Sequence, residues 1–77
     1  MKIITYANLK DYFNKEFTVE EPLRTIDELE HYLSARNPAS KDLLAACRYA
    51  VDNHFISDDY ILSPNESVHI IPPSSGG

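Results

Sequence analysis

A single strong helical pattern lies between short β-type patterns, and this arrangement limits the folds that the chain can adopt. The segment TIDE, which begins at Thr25, has capping-box form, with threonine at the cap and glutamate three residues later. Ile26, Leu29 and Leu33 then recur at helical spacing and predict one buried stripe. An Asn-Pro pair ends the pattern, because the residue before a proline is pushed out of the helical region. We therefore predict a helix from Thr25 to Ala35.

Short β-type patterns flank this helix on both sides. β-branched and aromatic residues favour two strands before it, at Lys2–Tyr6 and Glu16–Val19, joined by a polar connection at 8–14. The elements expected after it are, in chain order, a short helix at 40–47 capped by Ser40, a hairpin with strands at 49–51 and 55–56, a β-turn at 63–66 and a last strand at 68–71. This order predicts an α+β domain with the helix packed on one face of a sheet.

Length and charge argue against several classes of function. With 77 residues the chain should form one small domain with one core, and a second lobe around an enclosed substrate cavity is not expected. Its 12 acidic residues against 7 basic ones give a net charge of −5. Nucleic acids and anionic membrane surfaces are bound by clustered Lys and Arg, so neither is an expected partner.

The sequence shows no secretory, metal-binding or membrane-spanning pattern. Its one cysteine, Cys47, cannot form an internal disulfide, and no four-ligand zinc pattern accompanies it. His31, His54 and His69 fall on different expected elements without ligand spacing, so no metal site is predicted. The first residues lack the apolar core of a signal peptide, and no apolar run approaches the length of a membrane span. We therefore expect a cytoplasmic protein with no bound metal or cofactor.

The last six residues are the most informative part of the sequence. Pro72-Pro73 stands directly against the last predicted strand, so the chain should leave the sheet in an extended form. Ser74-Ser75 is a pair of small residues, and Gly76-Gly77 contains the only glycines in the chain. Glycine has no Cβ, so its backbone can approach a ligand closely. We therefore expect a domain at 1–71 and an extended C-terminal tail at 72–77 that is thin enough to thread into a partner's active site.

The tail and the elements before it resemble one known family. The ending VHIIPPSSGG, the helix opening TIDELEHYL and the hairpin AVDNHFI are similar, in the same order and at similar spacing, to the small subunit of molybdopterin synthase. That subunit is the MoaD branch of the ubiquitin-like sulfur carriers, which are related to the thiazole carrier ThiS. The resemblance covers essentially the whole chain and implies a β-grasp fold, with a mixed sheet wrapped around the Thr25 helix.

The resemblance also implies a function. In that family an adenylating enzyme of the ubiquitin-activating type uses ATP to convert the C-terminal glycine into an acyl-adenylate, and sulfur then converts it into a thiocarboxylate. The tail inserts into the large synthase subunit, where sulfur passes to a pyranopterin precursor and forms the dithiolene of molybdopterin. Carried onto this chain, Gly77 is the activated residue, and Pro72, Pro73, Ser74-Ser75 and Gly76 form the threading arm. The chain is then not an enzyme by itself but the sulfur-donor subunit of a hetero-oligomer.

The family's partner surface is an apolar patch on the sheet, and three positions of this chain match it. Tyr6 ends the first predicted strand, Phe55 lies in the hairpin, and Ile71 stands immediately before the prolines. Exposed apolar patches usually mark an interaction site. Because burial is not visible in a sequence, plain core packing or incidental exposure of the three side chains stays open.

Other functions stay open as well. A thiocarboxylate carrier for thiazole or for tRNA thiolation would need the same tail, although the II-PP spacing before SSGG favours the molybdopterin branch. A ubiquitin-like modifier joined to lysines through Gly77, or an interaction module whose tail does no chemistry, would fit the same fold. A sulfur-relay role for Cys47 is not favoured, because this residue continues the apolar pattern of Leu43 and Leu44 and free cysteines are often buried.

Overall fold

A computed structural model describes residues 1–73 of the chain, and residues 74–77 lie outside this range. Five strands and two α-helices make up the described part. The strands are β1 (Lys2–Thr5), β2 (Glu16–Thr18), β3 (Arg48–Val51), β4 (His54–Phe55) and β5 (Ser67–Ile71), and the helices are α1 (Ile26–Arg36) and α2 (Lys41–Ala46). These elements follow the order that the sequence predicts.

The five strands form one mixed sheet in the order β2-β1-β5-β3-β4. Strands β1 and β5 are parallel neighbours at the centre, and the other three pairings are antiparallel. Three residues of α1, Ile26, Leu29 and Leu33, share one core cluster with sheet residues such as Ile3 and Ile70. A mixed sheet that packs one face on a single main helix is the β-grasp, ubiquitin-like arrangement, and the predicted fold class is confirmed.

The alternation of side chains along β1 and β5 separates a core face from an open face. Val68 and Ile70 are fully buried on the helix side, whereas His69 and Ile71 are only partly buried. The register pairs Ile3 with Val68, so the core positions of the two strands coincide. Because successive side chains of a strand point to opposite faces, His69 and Ile71 belong to the face of the sheet that no helix covers.

The start of α1 carries the predicted capping contacts in a slightly shifted form. The Thr25 side chain accepts a hydrogen bond from the Glu28 backbone N–H at 3.0 Å. The Glu28 carboxylate accepts one from the backbone N–H of Arg24, at 2.7 Å, rather than from that of the cap residue itself. Two backbone donors at the helix start are therefore satisfied, which fixes where α1 begins.

The predicted cap of the second helix is wrong. Ser40 precedes α2 but makes no side-chain capping bond; its hydroxyl donates instead to the carbonyl oxygen of Asn37, at 2.6 Å. The reason is a 3-10 helix at Pro38–Ser40 that runs directly into α2, so Ser40 already has helical dihedrals. A capping residue needs an extended backbone, and Ser40 does not have one because it belongs to the 3-10 helix.

The polar segment after β1 also has more structure than its composition indicates. Residues Ala7–Asp11 form a 3-10 helix, and its Leu9 is fully buried in the core. Ala7 opens it at a φ of 51°. The segment therefore turns the chain sharply away from β1, directly after Tyr6.

Candidate functional site

A tight hairpin places one aromatic ring on the open face of the sheet. Asp52 and Asn53 connect β3 to β4 with φ values of 52° and 66°. Two central residues with positive φ characterise the type I′ turn, whose twist matches that of the flanking strands, and Asn and Asp tolerate it better than most residues. The hairpin pairs Phe55 with Ala50, and the Phe55 side chain is 54% exposed.

The three residues expected to form a partner surface lie around one groove on the open face. Tyr6, Phe55 and Ile71 line a depression of about 240 Å³, together with Ala50, Asn53 and His69. Tyr6 is 39% exposed, and Ile71 is partly buried. We call this depression the sheet groove. Core packing, the alternative left open by the sequence, is thus excluded for Phe55, and Tyr6 lies outside the core as well.

The Tyr6 ring contacts His69, a residue outside the predicted partner surface. Its hydroxyl lies 2.6 Å from Nδ1 of His69, within hydrogen-bond distance, and the two rings stack with centroids 5.7 Å apart. His69 could have been assigned to this face from the alternation of strand β5, in which it lies between the buried Val68 and Ile70. Its contact with a residue 63 positions away depends on the parallel pairing of β1 and β5, which short-range patterns do not reveal.

The Phe55 ring has a corresponding contact. The guanidinium carbon of Arg48 lies 3.6 Å from the centroid of this ring, which is a cation–π arrangement. Arg48 is paired with Ile71 in the β3–β5 register, so it lies beside the last residue of β5. A positively charged group therefore stands at the edge of the sheet groove in a chain whose net charge is negative.

The end of β5 sets where the tail begins. Ile71 closes the strand, Pro72 is buried and Pro73 is exposed. The sheet groove therefore lies next to the root of the tail. Ser74-Ser75 and Gly76-Gly77, the remaining residues of the predicted arm, fall outside the described residues. The division at 71/72 and the activation of Gly77 stay predictions.

A second cavity, of about 550 Å³, is also lined by Arg48 and Phe55, together with Cys47 and Tyr49. Burial raises the pKa of the Cys47 thiol to about 11, with a further contribution from the negative charge of Glu30. The thiol donates a hydrogen bond to the carbonyl oxygen of Leu43 at 3.1 Å. A thiol that stays protonated is a poor nucleophile, so these features argue against a sulfur-relay role for Cys47.

The described residues hold neither a cluster of metal ligands nor a membrane-spanning helix. Among residues 1–73, no three side chains of His, Cys, Asp or Glu gather in a way that could hold a metal ion. In the same part of the chain, neither helix has the length and apolar character needed to cross a membrane.

The fold and the groove define a small ubiquitin-like domain with an open, partly apolar sheet face beside its C-terminal strand. Comparison with known families makes the assignment more specific. The model of the ThiS family matches residues 3–77, and the chain belongs to this family of MoaD/ThiS sulfur carriers. The match runs through the Gly-Gly ending and confirms the family resemblance inferred from the sequence.

Two solved structures share the fold. One is a protein from Pyrococcus furiosus named provisionally as molybdopterin converting factor, subunit 1; it has a TM-score of 0.72 and 22% sequence identity, with 94% of each chain covered. The other comes from a complex of subunits 1 and 2 of molybdopterin-converting factor from Helicobacter pylori; it has a TM-score of 0.67 and 18% identity, covering 99% of this chain and 96% of that one. At these identities the likeness establishes the β-grasp fold.

Proposed function

We propose that this protein is the sulfur-carrier small subunit of a molybdopterin synthase. The observation that carries the proposal is the family match over residues 3–77, which includes the IIPPSSGG ending. Ile71, which directly precedes the two prolines of this ending, lines the sheet groove. The names of the two structural relatives support the molybdopterin branch, and one of them forms a complex with a second subunit.

The proposed chemistry takes place at the C-terminal carboxylate of Gly77. A carboxylate is a poor electrophile, so an activating enzyme first joins it to the α-phosphate of ATP and releases pyrophosphate. A sulfur donor then displaces AMP from the acyl-adenylate and leaves a thiocarboxylate. Transfer of this sulfur to a pyranopterin precursor, with hydrolysis of the acyl–sulfur bond by water, returns the carboxylate. The two sulfur atoms of one dithiolene require two such transfers.

The domain itself supplies binding and delivery in this proposal. The sheet groove, lined by Tyr6, Phe55 and Ile71, binds the large subunit close to the root of the tail. A tail of six residues reaches roughly 20 Å when extended, at about 3.3 Å per residue. The large subunit then contributes the catalytic groups, and the carrier acts as a consumed and regenerated sulfur donor.

A second candidate is the thiazole pathway, because the matching family model carries the name of the thiazole carrier. The two functions share activation of Gly77 and differ in the acceptor of the sulfur. They also require different partner proteins, since each acceptor is bound by its own enzyme.

Sulfur transfer by the thiocarboxylated protein distinguishes the two. The protein is mixed either with the large molybdopterin synthase subunit and the pterin precursor, or with a thiazole synthase and its substrates. We expect a dithiolene-containing pterin in the first mixture, with two carriers losing their sulfur for each dithiolene formed. Sulfur transfer only in the second mixture would overturn the molybdopterin assignment in favour of the thiazole pathway.

A further inference from the structure

Each aromatic wall of the sheet groove contacts a polar side chain. Tyr6 stacks on His69 and lies within hydrogen-bond distance of it, and Phe55 lies under the guanidinium of Arg48. The two supporting residues come from different strands, β5 and β3, and both lie on the open face. We propose that His69 and Arg48 are positioning residues that preorganise the groove for an apolar side chain of the large subunit. This inference rests on the proposed function.

The register of the sheet explains why the supports reach the rings. Strand β5 is central, and His69 is paired with Ile4 of β1 on one side and with Ala50 of β3 on the other. The small Ala50 side chain leaves space between the walls, so the groove floor is shallow and apolar. Tyr6 and Phe55 therefore lie on opposite sides of β5. Each ring contacts a residue of an inner strand, β5 or β3.

The lining of the groove fixes the chemistry of its occupant. Among residues 1–73, no carboxylate lines the groove, although the chain carries 12 acidic residues. Its walls offer aromatic and aliphatic surface, which favours an apolar side chain. Ile71 lines the groove and directly precedes Pro72, so the protein that binds here also surrounds the root of the tail. In the proposed function that protein is the large subunit.

Arg48 is available for this role because it forms no ion pair in the described part of the chain. Within residues 1–73 the one salt bridge joins Lys2 to Glu16, at the other end of the sheet. Asp27, Glu30 and Asp58 line the second cavity together with Arg48, but none of these carboxylates is within 4.0 Å of its guanidinium. The guanidinium instead contacts the Phe55 ring.

Preorganisation affects affinity through conformational entropy. An exposed aromatic ring samples several χ1 rotamers, and a partner that selects one of them must offset the lost freedom. A ring held before binding has already lost that freedom. Removing one support should weaken binding by about 3- to 10-fold while leaving the apolar contact itself in place.

Binding to the large subunit of the synthase tests the proposal. We expect His69→Ala and Arg48→Gln each to raise the Kd by about 3- to 10-fold, and Arg48→Lys to recover most of the affinity because an ammonium also binds an aromatic face. The matched controls are His31→Ala and Arg36→Gln on helix α1, where Arg36 lies 5.0 Å from the Tyr32 ring, away from the groove. Wild-type affinity in both supporting variants would overturn the proposal.

A measurement on the free protein separates this inference from the proposed function. Three-bond NMR couplings report the χ1 populations of Tyr6 and Phe55 without any partner. We expect one dominant rotamer for each ring in the wild-type protein, averaging of Tyr6 in His69→Ala and averaging of Phe55 in Arg48→Gln. Rings that average already in the wild type would contradict the positioning role. If the wild-type protein fails to bind the large subunit, the proposed partner is wrong, whereas the couplings still decide whether the walls are preorganised.

Discussion

Tyr49 of strand β3 donates a hydrogen bond from its hydroxyl to the carboxylate of Glu30 on helix α1, with 3.3 Å between the two oxygens. The Tyr49 ring is almost completely buried, and its phenol pKa is raised, chiefly by burial and then by the negative charge of Glu30. The phenol therefore stays protonated and remains a donor in the physiological pH range. This bond joins the sheet to the helix at the mouth of the second cavity.

The carboxylate in this pair should make folding stability depend on pH. Desolvation raises the pKa of Glu30 above its ordinary value; nearby Asp27 and Asp58 act in the same direction, and the Tyr49 bond opposes them. The folded state thus holds the Glu30 proton more tightly than the unfolded state does, so stability should fall as the pH rises through the raised pKa. Glu30→Gln removes the charge and keeps an oxygen that can accept from Tyr49.

We expect Glu30→Gln to increase the free energy of unfolding slightly at pH 7, with the gain vanishing below about pH 4, where Glu30 is protonated in both states. The gain is small because Glu30 is only partly buried and solvent screens its charge. Urea unfolding across this pH range measures it, with the exposed Glu21→Gln as control. A loss of stability at pH 7 would show that the ionised pair is net favourable.

Cys47 should react slowly with thiol reagents in the folded protein. With a pKa of about 11, its thiolate is about one part in ten thousand at pH 7, against a few per cent for an ordinary thiol. The rate of alkylation should rise steeply up to pH 11 and should jump to the ordinary rate in denaturant. Reaction at pH 7 as fast as in the unfolded chain would reopen the sulfur-relay role.

The stability of the hairpin that carries Phe55 should depend on which residue occupies position 53. Asn53 has a φ of 66°. This left-handed conformation costs a residue with an ordinary Cβ about 1–2 kcal/mol. We expect Asn53→Ala to lower the free energy of unfolding by about 1 kcal/mol, and Asn53→Gly to be neutral or stabilising. Equal stability of the two variants, measured by thermal or urea unfolding, would argue against the type I′ turn.

The apolar groove should account for much of the affinity for the large subunit. Phe55→Ala should raise the Kd by about 30-fold, equivalent to about 2 kcal/mol, because buried aromatic side chains dominate interface energetics. Ile61 provides a matched control, since its side chain is 59% exposed and does not line the groove. Similar losses in Phe55→Ala and Ile61→Ala would place the interface elsewhere.

Local patterns predict the elements of the fold, whereas the mixed sheet with its parallel β1–β5 pairing was expected only from the family resemblance. The TIDE cap, the stripe from Ile26 to Leu33 and the Asp52-Asn53 turn each have a direct local cause, and each is present in the structure. The Ser40 cap was wrong because the preceding proline-led turn continues into the helix. Leu9 was missed because a single buried residue in a polar segment leaves no periodic signal.

The candidate site was predictable only in part, for a physical reason. Tyr6, Phe55 and Ile71 came from the family resemblance, and their clustering depends on strand order rather than on spacing in the chain. His69 and Arg48 were missed because their contacts cross between strands. Alternation places His69 on the open face. The residues next to it in the sequence do not indicate that it contacts the hydroxyl of Tyr6, 63 residues away.

The proposed function requires that Gly77 carries sulfur, and the intact mass of the protein tests this most directly. The protein is incubated with ATP, a sulfur donor and the adenylating enzyme of the same organism, beside a variant that lacks Gly77. We predict replacement of one oxygen by one sulfur in the full-length chain and no change in the shortened one. An unchanged mass of the full-length chain, with the enzyme active on another carrier, would contradict the carrier function.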